Sequence, residues 1–554
     1  SAASDLGTGI YLNGTADVIV TGNNLSGRNR GIESVGVNTG STIDGNDVSG
    51  AGSDYGMVLR NHDSALILTS NNFAGRGSGL WLQGQGGPWT LPTSNILTDI
   101  TTGEAIRVDS SANIVIDGHV LSGTGDGIGV LVNGCPGIEV SNNDLRDRRH
   151  GIQFTGGGNS SAIVDNNDVS GSGSDFGIRL AGVDNGLSLI SNTFDGRQNG
   201  LYLEGLIGPW QLPNSNSFLG LTTGTVIRLD SSNAITIDGF DLSSVAAEGT
   251  GLFLFSVSGV QITNNDLSGR VFGIDSGGTS GGVQAITGNG VRSSANLGIR
   301  INNFGAGLTV ASNDYSDSEN GLRVDFMTGP WTYDATLEDF GSQINNEAVF
   351  INSSTSVSVD NVDASGFSTT AVRLLGCDGC AVNALASCGA SVGVSIESSD
   401  NVVVDGCEIG EGITGVYVDS GSNLAIVSNN GFSNNALDID DQGIGTTAPG
   451  NGQMADADGD GVGDVCDQCP SFDDTLDDDF DLIPNDCDAC FGDNLTGDTD
   501  VDGWCDDADL CPGFDDNVDS DGDSVPDGCD LCTGDDLTGD VDVDGFCFDL
   551  DCDD

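Results

Sequence analysis

Gly9-Ile10-Tyr11-Leu12, Gly177-Ile178-Arg179-Leu180, Gly251-Leu252-Phe253-Leu254 and Gly415-Val416-Tyr417-Val418 state one phrase: a small residue, then apolar-x-apolar, then a polar turn. Eighteen such starts recur from Gly9 to about residue 440, 22 to 27 residues apart. The alternation has period two, so each start predicts a short strand with one face inward. Strands this short cannot bury a face alone, and a repeat of this length buries its core only by stacking on its neighbours. The expected fold is all-β: a solenoid of about 18 coils over residues 1–445. Turn positions carry Asn23-Asn24, Asn71-Asn72, Asn142-Asn143, Asn166-Asn167, Asn264-Asn265 and Asn429-Asn430, where stacked amides can bond along the axis as ladders.

A longer period lies above the coil. Gly87-Pro88-Trp89, Gly208-Pro209-Trp210 and Gly329-Pro330-Trp331 are 121 residues apart, as are Arg76 and Arg197, Arg107 and Arg228, and Arg179 and Arg300. Five coils therefore form one duplicated unit, which rises about 24 Å at about 4.8 Å per coil. Ser1 to Thr8 aligns with Ser243 to Thr250, so the sequence opens partway through a unit. This predicts either further repeats upstream or a partner that covers the exposed end.

The coil pattern resembles the right-handed parallel β-helix of the pectate-lyase-like families over roughly the first four-fifths of the chain, and that resemblance implies the fold. Enzymes of those families cleave polysaccharides with an Arg or Lys base beside calcium-binding carboxylates, or with clustered Asp. This chain has no Lys and no Gly-His-Gly or Arg-x-Lys string, and His62, His119 and His150 are scattered. Arg107 and Arg228 recur with the structural period, as architectural residues would. The expectation is that the chain is not an enzyme and has no catalytic residues.

Charge is placed unevenly. The formal net charge is −67, and residues 454–554 hold 36 Asp and no Arg, so nucleic acid is excluded as a partner by repulsion. An acidic block of this kind stays ordered only when neutralised. Its spacing says how: with Asp456, Asp458 and Asp460 at positions 1, 3 and 5 of a loop, Val462 offers a carbonyl at 7, Asp464 stands at 9 and Asp467 at 12. The same frame recurs every 21 residues in Asp477, Asp479, Asp481, Ile483, Asn485 and Asp488. It returns in Asp498, Asp500, Asp502, Trp504, Asp506 and Asp509, and in Asp519, Asp521, Asp523, Val525, Asp527 and Asp530. The fifth copy is Asp540, Asp542, Asp544, Phe546 and Asp551, with Phe548 at position 9. Oxygen ligands at this spacing call for about five Ca2+ ions or more. Residues 446–455 read as a linker, and 456–554 as an extended calcium-binding, disulfide-braced array.

These loops, with Cys469-Pro470 and Cys511-Pro512, resemble thrombospondin type 3 repeats. The resemblance implies disulfides between successive repeats: Cys469 with Cys487, Cys490 with Cys505, Cys511 with Cys529 and Cys532 with Cys547. Ten of the 15 cysteines lie in this tail, a density that points to an oxidising, extracellular or cell-surface location, and no apolar run is long enough to span a membrane. Cys388 and Cys407, about one coil apart, are candidates for a disulfide between adjacent coils. Cys377 and Cys380 have the spacing of a metal pair, and Cys135 has no visible partner. Trp89, Trp210 and Trp331 read as plugs in preference to sugar-stacking platforms.

Taken together, the sequence favours a secreted, calcium-stabilised structural protein that self-associates into a filament through the solenoid end or the tail. The alternative is a surface protein that binds or cleaves polysaccharide along its long face.

Overall fold

The computed structural model describes residues 7–454 apart from 124–125, 222, 246–247, 279–283, 305–306, 341–345 and 366–368. Beyond 454 it describes 498–506, 508–520, 524–530 and scattered residues between 469 and 491. The chain divides into two compact units, residues 1–430 with 435–452, and residues 431–434 with 453–554.

In the first unit the phrases are strands of one parallel sheet of 19, from Thr8–Asn13 to Leu437–Asp441. Successive strands pair in register, coil on coil, and the fold is the parallel β-solenoid that the repeat predicts, of the right-handed type that the resemblance implies. The alternation sorts the residues. Ile106, Val130, Ile152, Ile178, Leu201 and Ile227 form one inward column and are fully buried. Burial of each such side chain contributes about 1.5–3 kcal/mol. The small residue that opens the phrase is fixed by the next coil: at Gly151 a Cβ would lie 2.7 Å from the Gly177 carbonyl oxygen and 2.4 Å from Val169 Cγ1.

The asparagine ladders form as expected, in runs. Asn143 Nδ2 donates to Asn167 Oδ1 at 2.9 Å, Asn167 to Asn192 at 3.1 Å and Asn192 to Asn216 at 3.1 Å. A second sheet, by contrast, is cut into segments, and new segments open on the strands Trp89–Leu91, Ile207–Gln211 and Trp331–Asp334. In each a proline immediately precedes the tryptophan and has no N–H for a ladder. There the indole Nε1 of Trp89, Trp210 and Trp331 donates instead to the Leu66, Leu187 and Leu308 carbonyls of the coil below, at 2.9, 3.0 and 2.9 Å. All three rings are buried, so they are plugs and not sugar platforms.

Four arginines are interior. Arg76, Arg148, Arg197 and Arg270 are fully buried and donate to backbone carbonyls. Sequence reasoning found the 121-residue spacing of Arg76 and Arg197 but not that they lie in the core.

In the second unit, Cys469–Cys487, Cys490–Cys505 and Cys511–Cys529 are disulfides, as the resemblance implies. The Cys532–Cys547 pairing lies outside the described residues. Two cysteine readings are corrected. Cys377 and Cys380 form a disulfide with each other and so are not a metal pair. Cys407 is free and buried while Cys388 is disulfide-bonded, so these two are not joined, although they lie one coil apart. Cys135 is free and buried, its thiol donating to the Val108 carbonyl.

Candidate functional site: an outward arginine–aromatic row

Between the inward columns of the 19-stranded sheet runs a single outward row. In register it reads Trp81, Arg107, Leu131, Gln153, Arg179, Tyr202, Arg228, Phe253, Asp275, Arg300, Arg323, Phe350 and Arg373. Six of the chain's 16 arginines stand on it. An acidic chain has thus gathered much of its cationic chemistry on one face.

The row is built of stacked layers. The Arg60 and Arg107 guanidiniums lie over the Trp81 ring at 5.1 and 4.7 Å, and Arg179 and Arg228 lie over Tyr202 at 4.9 and 5.0 Å. Cation–π attraction of this kind holds each guanidinium in place. Carboxylates two residues along the same strands complete the layers. Asp109 accepts from Trp81 Nε1 at 2.8 Å and from Arg107 Nε at 2.9 Å. Asp230 accepts from the Tyr202 hydroxyl at 2.7 Å and from Arg228 Nε at 3.0 Å. Burial and this bond push the Tyr202 hydroxyl up to about 12, so it remains a donor at neutral pH. The Oδ1 atom of Asp109 is buried without a hydrogen-bond partner.

Farther along, Asp275 and Asp325 flank Arg300, whose Nη1 is 3.7 Å from Asp275 and whose Nε is 3.1 Å from Asp325. Burial raises the Asp275 carboxyl above its ordinary value, with Arg300 opposing. Burial also works on Asp325, but hydrogen bonds from Arg323 and Asn352 outweigh it and hold that carboxyl low. The two carboxyls beside Arg300 are thus shifted in opposite directions by their surroundings.

The sequence reading touched this row only in part: Arg107, Arg179, Arg228 and Arg300 were singled out by spacing, whereas Trp81, Tyr202, Asp109 and Asp230 were missed. The available signal was Arg-x-Asp on consecutive outward positions, in Arg107-Val108-Asp109, Arg228-Leu229-Asp230 and Arg323-Val324-Asp325.

Of the acidic loops, the third is described apart from residue 507. Carboxylate oxygens of Asp498, Asp500 and Asp502 lie within 4.8 Å of one another. Neither oxygen of Asp500 has a hydrogen-bond partner, and burial and the neighbouring carboxylates raise its pKa. Asp506, expected at position 9, turns back to accept from Thr499 N at 2.9 Å, and Asp509 accepts from Cys511 N at 2.7 Å. Trp504 packs edge-on against Phe491, their ring centres 4.9 Å apart. Ile483, Asn485, Asp488, Asp519, Val525, Asp527 and Asp530 are described in part-loops. Asp477, Asp479, Asp481, Asp521, Asp523 and all of the first and fifth loops, Asp456 to Asp467 and Asp540 to Asp551, lie outside the described residues.

The coils and the row define a parallel β-solenoid with a polar, charge-paired outer face. Residues 1–98 and 89–270 match the model of a family described as periplasmic copper-binding protein (NosD). No curated protein matches the sequence. Among solved structures, the A-module of a mannuronan C-5 epimerase from Azotobacter vinelandii is similar at 13% identity, over 69% of this chain and 91% of that one, with a TM-score of 0.24. The Family 28 exopolygalacturonase of Yersinia enterocolitica is similar at 11% identity, over 63% and 72%, with a TM-score of 0.25. A periplasmic alginate epimerase is similar at 10% identity, over 58% and 76%, with a TM-score of 0.24.

These findings correct the expectation that the chain is not an enzyme. The similar structures named above are epimerases and an exopolygalacturonase by title. Copper is not matched by the described residues. The Nε2 atoms of His62, His119 and His150 pair separately with Ser34, Leu91 and Asp175, each in a different coil. Among the described residues the one convergent group of ligand side chains is Asp498, Asp500 and Asp502, all hard oxygen donors. No helix among them is long and apolar enough to cross a membrane.

Proposed function

We propose that this is an exported protein that binds polysaccharide along the outward row of its 19-stranded sheet. The observation that carries the reading is the row itself, a track on which guanidiniums held by rings and carboxylates recur at intervals along the sheet. Arg side chains fixed in this way present N–H donors at set positions without further loss of rotamer freedom, which is what recognition of a polyhydroxylated chain needs. The row favours this reading over assembly into a filament. A glycan array probed with the full chain should show binding to at least one polymer class, and incubation with bound polymers followed by a reducing-end assay reports whether binding leads to cleavage. A chain that binds no polysaccharide overturns the proposal.

The third acidic loop supports a second reading for the other unit, calcium binding. Three carboxylates converge there and Asp500 has no protein partner, an arrangement that a hard divalent cation would neutralise. Asp498, Asp500 and Asp502 would hold the ion, which would supply rigidity. Calorimetric titration of the full chain with Ca2+ should lose one equivalent of uptake on Asp500→Asn. Equal stoichiometry in variant and parent would remove this loop from the count.

A further inference from the structure

The row contains a pattern that the 121-residue duplication alone does not account for. In the first two five-coil repeats the ring precedes the arginine by one coil: Trp81 then Arg107, Tyr202 then Arg228. In the third the order is reversed, with Arg323 standing in the place of the ring and Phe350 in the place of the arginine. The carboxylate moves with the arginine. It is Asp109 beside Arg107 and Asp230 beside Arg228, but Asp325 beside Arg323, while Asn352 takes the place of the first two. The stack survives the exchange: Arg323 and Arg373 lie over Phe350 at 4.7 and 5.0 Å. Divergence has thus changed all three residues and kept their association, one guanidinium on a ring and on a carboxylate two residues along its strand.

We infer that these three Arg-x-Asp and ring clusters are three equivalent subsites for one extended, uncharged glycan chain lying along the row. The inference rests on the polysaccharide reading and specifies it. In each cluster the Nε edge of the guanidinium is held by the carboxylate at 2.9, 3.0 and 3.0 Å. The arginine side chains are 30–36% exposed while the carboxylates are 2–11% exposed, so the outer guanidinium N–H groups are what a ligand meets first. Sugar hydroxyls, which accept and donate, match guanidinium donors beside carboxylate acceptors. The rings carry guanidiniums on both faces, so they position the arginines and are not stacking platforms.

The charge argument selects the ligand class. Each arginine already has an acid partner, so the row has no net positive charge to offer, and the chain as a whole is at −67. A polyuronate would be repelled, whereas a neutral polymer is indifferent to this field. Five coil steps separate Arg107 from Arg228 and four separate Arg228 from Arg323. The subsites therefore stand about 24 Å and about 19 Å apart, and only a long chain reaches all three.

The test uses the full chain with three probes: a neutral linear glucan, a short oligosaccharide of the same glucan, and polygalacturonate. The glucan should bind about 100-fold or more tighter than its oligosaccharide, the gain expected from linked sites, and the oligosaccharide should bind with three equivalents. The paired variant R107Q/D109N removes one subsite without leaving a lone buried charge. It should lower glucan affinity about tenfold or more and reduce the oligosaccharide stoichiometry to two, and its melting temperature shows whether the coils remain intact. With R228Q/D230N and R323Q/D325N added, glucan binding should be lost. If the folded triple pair binds glucan as the parent does, the inference fails and the polysaccharide reading stands. Binding of polygalacturonate in preference to glucan overturns the uncharged ligand and leaves the reading intact. Failure to bind any of the three, together with an unresponsive glycan array, overturns both.

Discussion

Arg197→Met is expected to cost the solenoid about 4 kcal/mol or more, the largest single-residue effect we foresee in the coils. The Arg197 guanidinium is fully buried and donates to four carbonyls: Val169 at 2.8 Å, Arg148 at 2.9 Å, Arg149 at 2.7 Å and Asp175 at 2.9 Å. Methionine keeps much of the volume and removes every donor. A buried carbonyl left without a partner costs about 1–3 kcal/mol, so four at the low end give the figure. Burial lowers the Arg197 pKa to about 10, which still leaves the group charged at neutral pH and its donors in place. Chemical denaturation of parent and variant checks the value, with R228Q/D230N as a surface control expected to change stability far less. A loss below about 1 kcal/mol would mean that water takes over the four carbonyls and that the buried arginines are not clamps.

The second large effect is pH-dependent and belongs to Glu338. In the other runs an asparagine ends the ladder; Asn71 and Asn192, for example, donate to Asn95 and Asn216. In the third run Asn289 donates to Asn313, and Asn313 N–H then donates to Glu338 Oε2 at 2.6 Å. Burial raises this carboxyl from its ordinary 4.5 to about 7, with the hydrogen bond from Asn313 opposing. The Tyr315 and Tyr333 hydroxyls share its pocket, and both remain neutral because burial pushes them far up.

The folded state therefore binds the Glu338 proton more tightly than the unfolded chain does. Stability from this group is full below about pH 4.5 and falls as pH rises to about 7, a loss of about 3 kcal/mol. Glu338→Gln keeps an acceptor for Asn313 and cannot ionise. It should match the parent near pH 4 and exceed it by up to about 3 kcal/mol at pH 8. Parallel denaturation curves at the two pH values read the difference directly, and an offset that does not change with pH would show that the carboxyl is not the titrating group.

These two positions show where sequence reading reaches its limit. An arginine or a glutamate in a coil repeat reads as surface, because charged side chains are seldom fully buried. Only the stacked carbonyls of preceding coils give Arg197 an interior set of partners, and only the end of an asparagine ladder encloses Glu338. Trp81 and Tyr202 escaped notice for a related reason. Each is one residue of an ordinary alternating strand, and its importance comes from neighbours about 25 residues away in sequence that become adjacent one coil later.

The sequence alone determined the repeat, its period and thereby the solenoid. Period-two alternation fixes which face of each strand is inward, and short strands have no stable state except stacked. It also determined the five-coil duplication and the asparagine ladders, because each depends on residue type at fixed spacing, whereas the three disulfides of the tail were implied only by the resemblance to thrombospondin type 3 repeats. Tertiary structure alone decided which outward residues form a continuous row, which arginines are interior and which carboxyls share a guanidinium. Those facts depend on the register between coils. Register sums small differences in coil length from 22 to 27 residues, and only backbone pairing along the whole stack resolves them.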